Sequence, residues 1–286
     1  MRTFTKVWLG IGLIAIGIGV AILMIAFASG VSFKDIDIPT FSYEESYADV
    51  TSIDMDIEYG EVKVVEGDTF KVDAKRLPEN GFESYVDADG TWVIRQDSDD
   101  NNFIDFFGLH FSSGSIFHWS EDMTPRITIT LPKDFVADDI SLVIKAGDVE
   151  IDQIYAKNGS FNVSAGRLAV KELEVTEESK YIIGAGEMSL HNVSVNDITV
   201  DCGVGSVSIK GKVTGNSDVT CNVGSVELDL EGEEEDYSYD ITASIGNIDI
   251  DNNSYHSISN RVINNDAAEN NLSLNCEIGN ISVDFY

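Results

Sequence analysis

Eight decapeptides decide the fold: MDIEYGEVKV (55–64), LVIKAGDVEI (142–151), FNVSAGRLAV (161–170), YIIGAGEMSL (181–190), VDCGVGSVSI (200–209), VTCNVGSVEL (219–228), ITASIGNIDI (241–250) and LNCEIGNISV (274–283). Each carries a glycine at its sixth position: Gly60, Gly147, Gly166, Gly186, Gly205, Gly224, Gly246 and Gly279. Five, three and one residues before that glycine, and two and four after it, the side chain is apolar, with Tyr, Cys, Ala and Met counted in. Apolar residues two apart are the signature of a strand with one buried face. The step across the glycine reverses the parity, so two inward-facing strands meet at a corner with glycine in it. Glycine suits such a bend because it reaches φ > 0 at no steric cost.

From Gly147 to Gly224 the spacings are 19, 20, 19 and 19 residues. A fixed period of about 20 residues marks a stacked repeat protein. A third inward pair follows in several copies: Ile154 and Ala156, Leu173 and Val175, Val193 and Val195. The reading is therefore all-β: a parallel β-solenoid, β-helix-like, of about eight short coils stacked roughly 4.8 Å apart, about 40 Å tall. A sandwich or barrel is the alternative, but it needs neither equal spacing nor one corner glycine per unit.

Outside the repeats the domain divisions are 1–30, 31–50 and 51–286. Val7 to Ala28 has no charged or amide side chain. As a helix, 22 residues span about 33 Å, the thickness of a hydrocarbon core. Arg2 and Lys6 precede the run, and after it Lys34 is followed by Asp35 and Asp37. This bias places the amino terminus in the cytoplasm and the rest outside, as a single-pass plasma-membrane protein. Cleavage after Ala26-Phe27-Ala28 is the alternative, and the length of the run favours a retained anchor. Residues 31–50 read as a short linker, and 51–286 as the repeat domain.

The charge excludes some functions. Fifty acidic against 18 basic residues give −32. A basic face for nucleic acid is ruled out as a leading idea. Anionic lipid and wall polymers are repelled, and divalent cations are collected weakly. Cys202, Cys221 and Cys276 each sit three residues before a glycine, in an inward column that elsewhere holds Ile57, Ile144, Val163, Ile183 and Ala243. They read as small core residues. Cys202 and Cys221, on successive repeats, are within reach of a disulfide. No Cys-x-x-Cys pair or histidine partner suggests zinc, and no glycine-rich loop opens a helix as a phosphate site would require. The four histidines, His110, His118, His191 and His256, lack evident partners. Acids are scattered over every coil, so no carboxylate pair stands out for glycoside cleavage. The expectation is no enzyme activity and no cofactor or metal.

One stretch differs in character. Asp97 to Met123 contains Phe103, Phe106, Phe107, Phe111, Phe117 and Trp119. It is too long and apolar for an ordinary loop. Two readings stand: a flap closing one end of the stack, or a hydrophobic contact surface for a membrane protein or bilayer. Asp97 to Asn102 has some features of a calcium loop but lacks the sixth-position glycine and the twelfth-position glutamate. Thr69 to Lys75 and Arg126 to Leu131 alternate as strands, and Asp89-Gly90 marks a hairpin turn. Asn252 to Asn271 reads as a loop or irregular cap.

The segment ITITLPKDFVADDISLVIKAGDVEI (127–151) resembles a bacterial putative-adhesin family of β-strand-repeat proteins of unknown function. The likeness runs over about 51–286 and carries no catalytic residues. With one amino-terminal membrane helix, the layout is similar to LiaG-like proteins of Gram-positive envelope-stress operons. The resemblance implies a non-enzymatic accessory or sensory protein of the cell envelope, with an envelope membrane protein or cell-wall component as partner. An adhesin-like surface binding module is the alternative.

Overall fold

The computed structural model describes residues 40–78, 81–96, 103–106, 109–112, 124–251, 253–256, 259–265 and 267–286. The amino-terminal segment read as a membrane anchor lies outside them. Among the described residues no helix is long and apolar enough to cross a membrane. Residues Thr40–Tyr286 form one compact unit.

Its strands run in order β1 (Thr40–Tyr47), β2 (Ser52–Gly67), β3 (Phe70–Pro78), β4 (Phe82–Val86), β5 (Thr91–Gln96), β6 (Phe103–Phe106), β7 (Leu109–Ser112), β8 (Arg126–Pro132), β9 (Ala137–Ile151), β10 (Ile154–Val170), β11 (Leu173–Val175), β12 (Ser179–Asn196), β13 (Ile198–Thr214), β14 (Asn216–Leu230), β15 (Tyr237–Ala243), β16 (Asn247–Ile250), β17 (Asn253–His256), β18 (Ser259–Ile263) and β19 (Asn270–Phe285). All but the β6–β7 hairpin belong to one continuous hydrogen-bonded sheet that bends at each corner glycine.

The long strands stack in parallel and in register, glycine on glycine: Gly60 on Gly147, Gly147 on Gly166, Gly166 on Gly186, Gly186 on Gly205, Gly205 on Gly224. The sheet closes tightly along this column. A Cβ built on Gly205, at φ +148, would stand 1.9 Å from the carbonyl oxygen of Gly186. Only glycine lets successive layers approach so closely. Residues five and three before the glycine, and two and four after, are buried in all eight copies. On the first face Phe161 and Tyr181 stack at 5.3 Å between adjacent layers. The third short run, Ile154–Ala156, pairs with β11 and supplies a further buried side in the middle of the stack.

Three features correct the sequence reading. First, stacking order departs from chain order. β14 pairs with β19, and β19 with β15 and β16. The Gly279 layer therefore lies inside the Gly246 layer. Pairing between sequentially distant strands leaves no local signal. Second, both ends are antiparallel. At one end β5 and β8 together make a ninth parallel layer on β2, covered by antiparallel β4 and β3, with β1 outside β3. At the other end β18 and β17 cover β15 and β16. The Asn-rich segment expected to be irregular supplies these two strands. Such covers blunt the open edges of a stack. Third, the linker read over 31–50 contains β1, because Phe41, Tyr43 and Tyr47 alternate and pack on the core.

Aromatic side chains close the first end. Tyr43 and Phe82 rings lie 5.3 Å apart, Tyr47 and Trp92 5.1 Å, and Phe70 and Phe135 4.7 Å. Both Tyr43 and Tyr47 hydroxyls donate to the Ser84 carbonyl oxygen, at 3.2 and 2.8 Å. The Trp92 indole N–H donates to Ser84 Oγ at 3.0 Å. These bonds tie β1, which extends one face of the stack, to β4, which extends the other.

Candidate functional site

The corner itself carries the surface that stands out. The residue immediately before each glycine was expected to face inward. It does not. Ala146, Ala165, Ala185, Val204, Val223, Ile245 and Ile278 are all exposed, and Tyr59 is half-buried. The reason lies in the arch. At φ between +131 and +155 the glycines of the column turn the chain outward. The two residues before the glycine and the one after it then leave the core side together. Gly246 is the exception in backbone, without the positive φ, yet Ile245 still points out.

In stacking order this slot reads Tyr59, Ala146, Ala165, Ala185, Val204, Val223, Ile278, Ile245. Backbone bonds from Ser244 N–H to Cys276 O (2.9 Å) and Ile245 N–H to Glu277 O (2.8 Å) keep the last step in line. The result is a ridge that passes from alanine to valine to isoleucine. Over its last four layers, about 14 Å, exposure is 55 % at Val204, 43 % at Val223, 50 % at Ile278 and 75 % at Ile245. Together they present on the order of 300 Å² of apolar surface, a size that on soluble proteins often marks a contact site.

Charge sharpens the contrast. Beside the alanine half stand Lys145, Asp148, Arg167 and Glu187. Beside the aliphatic half stand Gly203, Asn222 and Ser244 before the corner, and Ser206, Ser225, Asn280 and Asn247 after it, with Glu277 as the one charge. On a chain of net charge −32, four successive layers are thus nearly free of charge along one edge.

Elsewhere some of the acids pair with bases on neighbouring layers. Lys157 meets Asp138 at 2.5 Å, Lys171 meets Asp152 at 2.6 Å and Lys210 meets Asp229 at 3.1 Å, each across 19 residues. Asp138 and Asp152 hold their lysines above the ordinary ammonium value through these bonds. Exposed pairs of this kind add little stability each. An open groove of about 470 Å³ is lined by Ser52, Asp54, Thr91, Asp139 and Lys180 together with Ile53 and Ile140.

The aromatic insert joins the molecule at the same corner. In the β5–β8 layer Gln96 pairs with Ile57 and Arg126 with Glu61. Gln96 and Arg126, which flank the insert in sequence, therefore stand on either side of the corner of this layer. Gln96 Oε1 accepts the Tyr59 N–H at 3.3 Å, and Pro125 O accepts the Glu61 N–H at 2.9 Å. These two bonds anchor both ends of the insert. Phe103, Phe106 and Phe111 lie on the β6–β7 hairpin. Phe107, Phe117 and Trp119, and the segment from Asp97 to Asn102, lie outside the described residues.

Sequence reasoning placed the ridge residues inside because an apolar residue two from another apolar residue reads as buried. One signal pointed the other way. The slot holds alanine in three successive copies, where neighbouring inward slots hold Ile, Val, Leu or Met.

The family model described as Toastrack DUF4097 matches residues 50–284. No curated protein matches the chain. Among solved structures, a putative adhesin from Bacteroides fragilis is 16 % identical, covering 86 % of this chain and 97 % of its own, at TM-score 0.39. A putative cell adhesion protein from Clostridium sporogenes is 11 % identical, covering 87 % and 100 %, at TM-score 0.32. A putative adhesin from Parabacteroides distasonis is 10 % identical, covering 87 % and 98 %, also at TM-score 0.32.

Proposed function

The chain belongs to the Toastrack family, DUF4097, and from that premise we propose that it is a membrane-anchored, extracytoplasmic binding scaffold of the bacterial cell envelope, without enzyme activity. It holds an envelope membrane protein against its corner ridge, as an accessory or sensory component. The observation that carries this reading is the strip from Val204 to Ile245, apolar and almost uncharged on a chain of −32. A partner docking there avoids the acidic faces and buries aliphatic surface that the fold leaves in water. A polyanionic wall polymer gains nothing from such a strip, so a protein is the better fit. The aromatic insert, rooted on the same edge, supplies Phe103, Phe106, Phe107, Phe111, Phe117 and Trp119 as a second contact. Val7 to Ala28 tethers the scaffold, and the strongly acidic surface keeps it off anionic headgroups.

The test is a photo-crosslinking residue at Val223 in intact cells, with one at Glu150 on the outer face as control. The expected result is one discrete adduct from Val223, identified by mass spectrometry as an integral envelope protein. Val204→Asp combined with Ile245→Asp should abolish it, and the identified partner, once purified, should bind the unaltered chain and not that variant. Equal labelling from both positions, or none from Val223, would overturn the reading. An adduct to an externally added surface would instead make the chain an adhesin-like module.

A further inference from the structure

The altered stacking order has a chemical consequence. In chain order the Cys276 repeat is two away from that of Cys221, with the Gly246 repeat between. In the stack, β19 lies directly on β14, and Cys202, Cys221 and Cys276 pair in register on three consecutive layers. All three are fully buried. A straight column cannot converge on one tetrahedral ion, since its ends are too far apart.

Spacing decides which pairs can bond. Adjacent layers set in-register Cα atoms about 4.8 Å apart, inside the roughly 4.4–6.8 Å range of disulfides. Cys202 and Cys276 are two layers apart, about 9.6 Å, and fall outside that range. We propose that the column is a disulfide site with one obligate member: Cys221 bonds to Cys202 or to Cys276, and the third thiol stays reduced. The reaction removes two electrons and two protons from two thiols, and a disulfide oxidant of the glutathione class accepts them. One protein thiolate attacks the oxidant, forming a mixed disulfide and releasing one oxidant thiol. A second protein thiolate then attacks the protein sulfur of that mixed disulfide and expels the other. Because the sulfurs are buried, this exchange proceeds while the chain is folding or locally open. The inference stands on strand register and is independent of what the corner ridge binds.

The full chain, extracted in detergent, is unfolded, refolded with oxidised and reduced glutathione, acid-quenched, denatured and alkylated without reduction. Intact mass then counts free thiols. The unaltered chain should take one label. Cys202→Ala and Cys276→Ala should take none, since each keeps an adjacent pair. Cys221→Ala should take two, since its remaining thiols cannot meet. Three labels on the unaltered chain, a stable glutathione adduct in place of an internal bond, or no label on Cys221→Ala would each overturn the proposal. If Cys221→Ala fails to fold, peptide mapping of the oxidised unaltered chain decides. Peptides linked through Cys221 support the proposal, and a Cys202–Cys276 link refutes it.

Discussion

Replacing Gly205 by alanine tests the tightest contact in the stack. The new Cβ would sit 1.9 Å from the Gly186 oxygen, 2.9 Å from its carbonyl carbon and 3.0 Å from its nitrogen, all backbone atoms. No rotamer relieves this, because Cβ is fixed by the main chain. Two adjustments are open. The backbone can leave φ +148, or the layers can part by more than 1 Å at that point. A non-glycine residue held in this region costs about 1–3 kcal/mol. Parting the layers weakens one or two ladder hydrogen bonds, at about 1 kcal/mol each. With φ held and the layers parted, the expected loss is about 2–5 kcal/mol, a large part of a typical domain's stability. Ser206→Ala, one residue on, should change stability by less than about 0.5 kcal/mol. Guanidinium melts of the detergent-solubilised chain, followed by far-ultraviolet circular dichroism, measure both. Equal midpoints for the two variants would refute the argument that the glycine column sets the layer spacing.

Gly246→Ala should be milder than Gly205→Ala, by at least about 1 kcal/mol in the same melts, since no positive φ is required and its nearest backbone atom, Gly279 O, would stand at 2.8 Å rather than 1.9 Å from the new Cβ. Val223→Thr together with Ile278→Thr should leave the midpoint within about 1 kcal/mol, as exposed strand positions do; a loss of several kcal/mol would return the ridge to the core. Removing residues 270–286 should abolish the cooperative transition, because an interior layer is lost along with Leu272, Leu274, Ile281 and Val283; a transition of unchanged steepness would mean that β15 and β16 can dock on β14 without β19.

What was legible in the sequence followed from periodicity. The buried slots, such as Leu142, Ile144, Val149 and Ile151, announced themselves by two-residue spacing, and so did the third run at Leu173 and Val175. The cysteine column was legible as a column. Other features depended on contacts between distant residues. Whether Val204 faces in or out turns on which side of it the chain changes parity, and the apolar pattern is satisfied either way. The placing of β19 beside β14 follows from no local preference, since the Gly246 and Gly279 segments match the repeat equally well. The first end is closed by Tyr43, Tyr47, Phe70, Phe82, Trp92 and Phe135. All but Phe135, which lies between β8 and β9, are on short strands whose alternation was visible only in part and whose partners were not. Charge totals could not reveal the ridge, because −32 describes the whole chain while the strip is a local gap in it.

The placement of β19 also governs when the molecule can become itself. A stack whose layers follow chain order can grow as the chain is delivered, each new strand adding to a finished edge. Here β15 and β16 are made before the layer on which they must rest. They have to wait, unpaired with β14, until residues 270–285 arrive and slide between. Assembly at this end is therefore gated by delivery of a later segment. A chain halted before Asn270 lacks a floor in the middle of the stack, and its four stranded β-segments from Tyr237 to Ile263 stay open to proteases. Closure of this end thus depends on β19, the last strand of the chain's described residues.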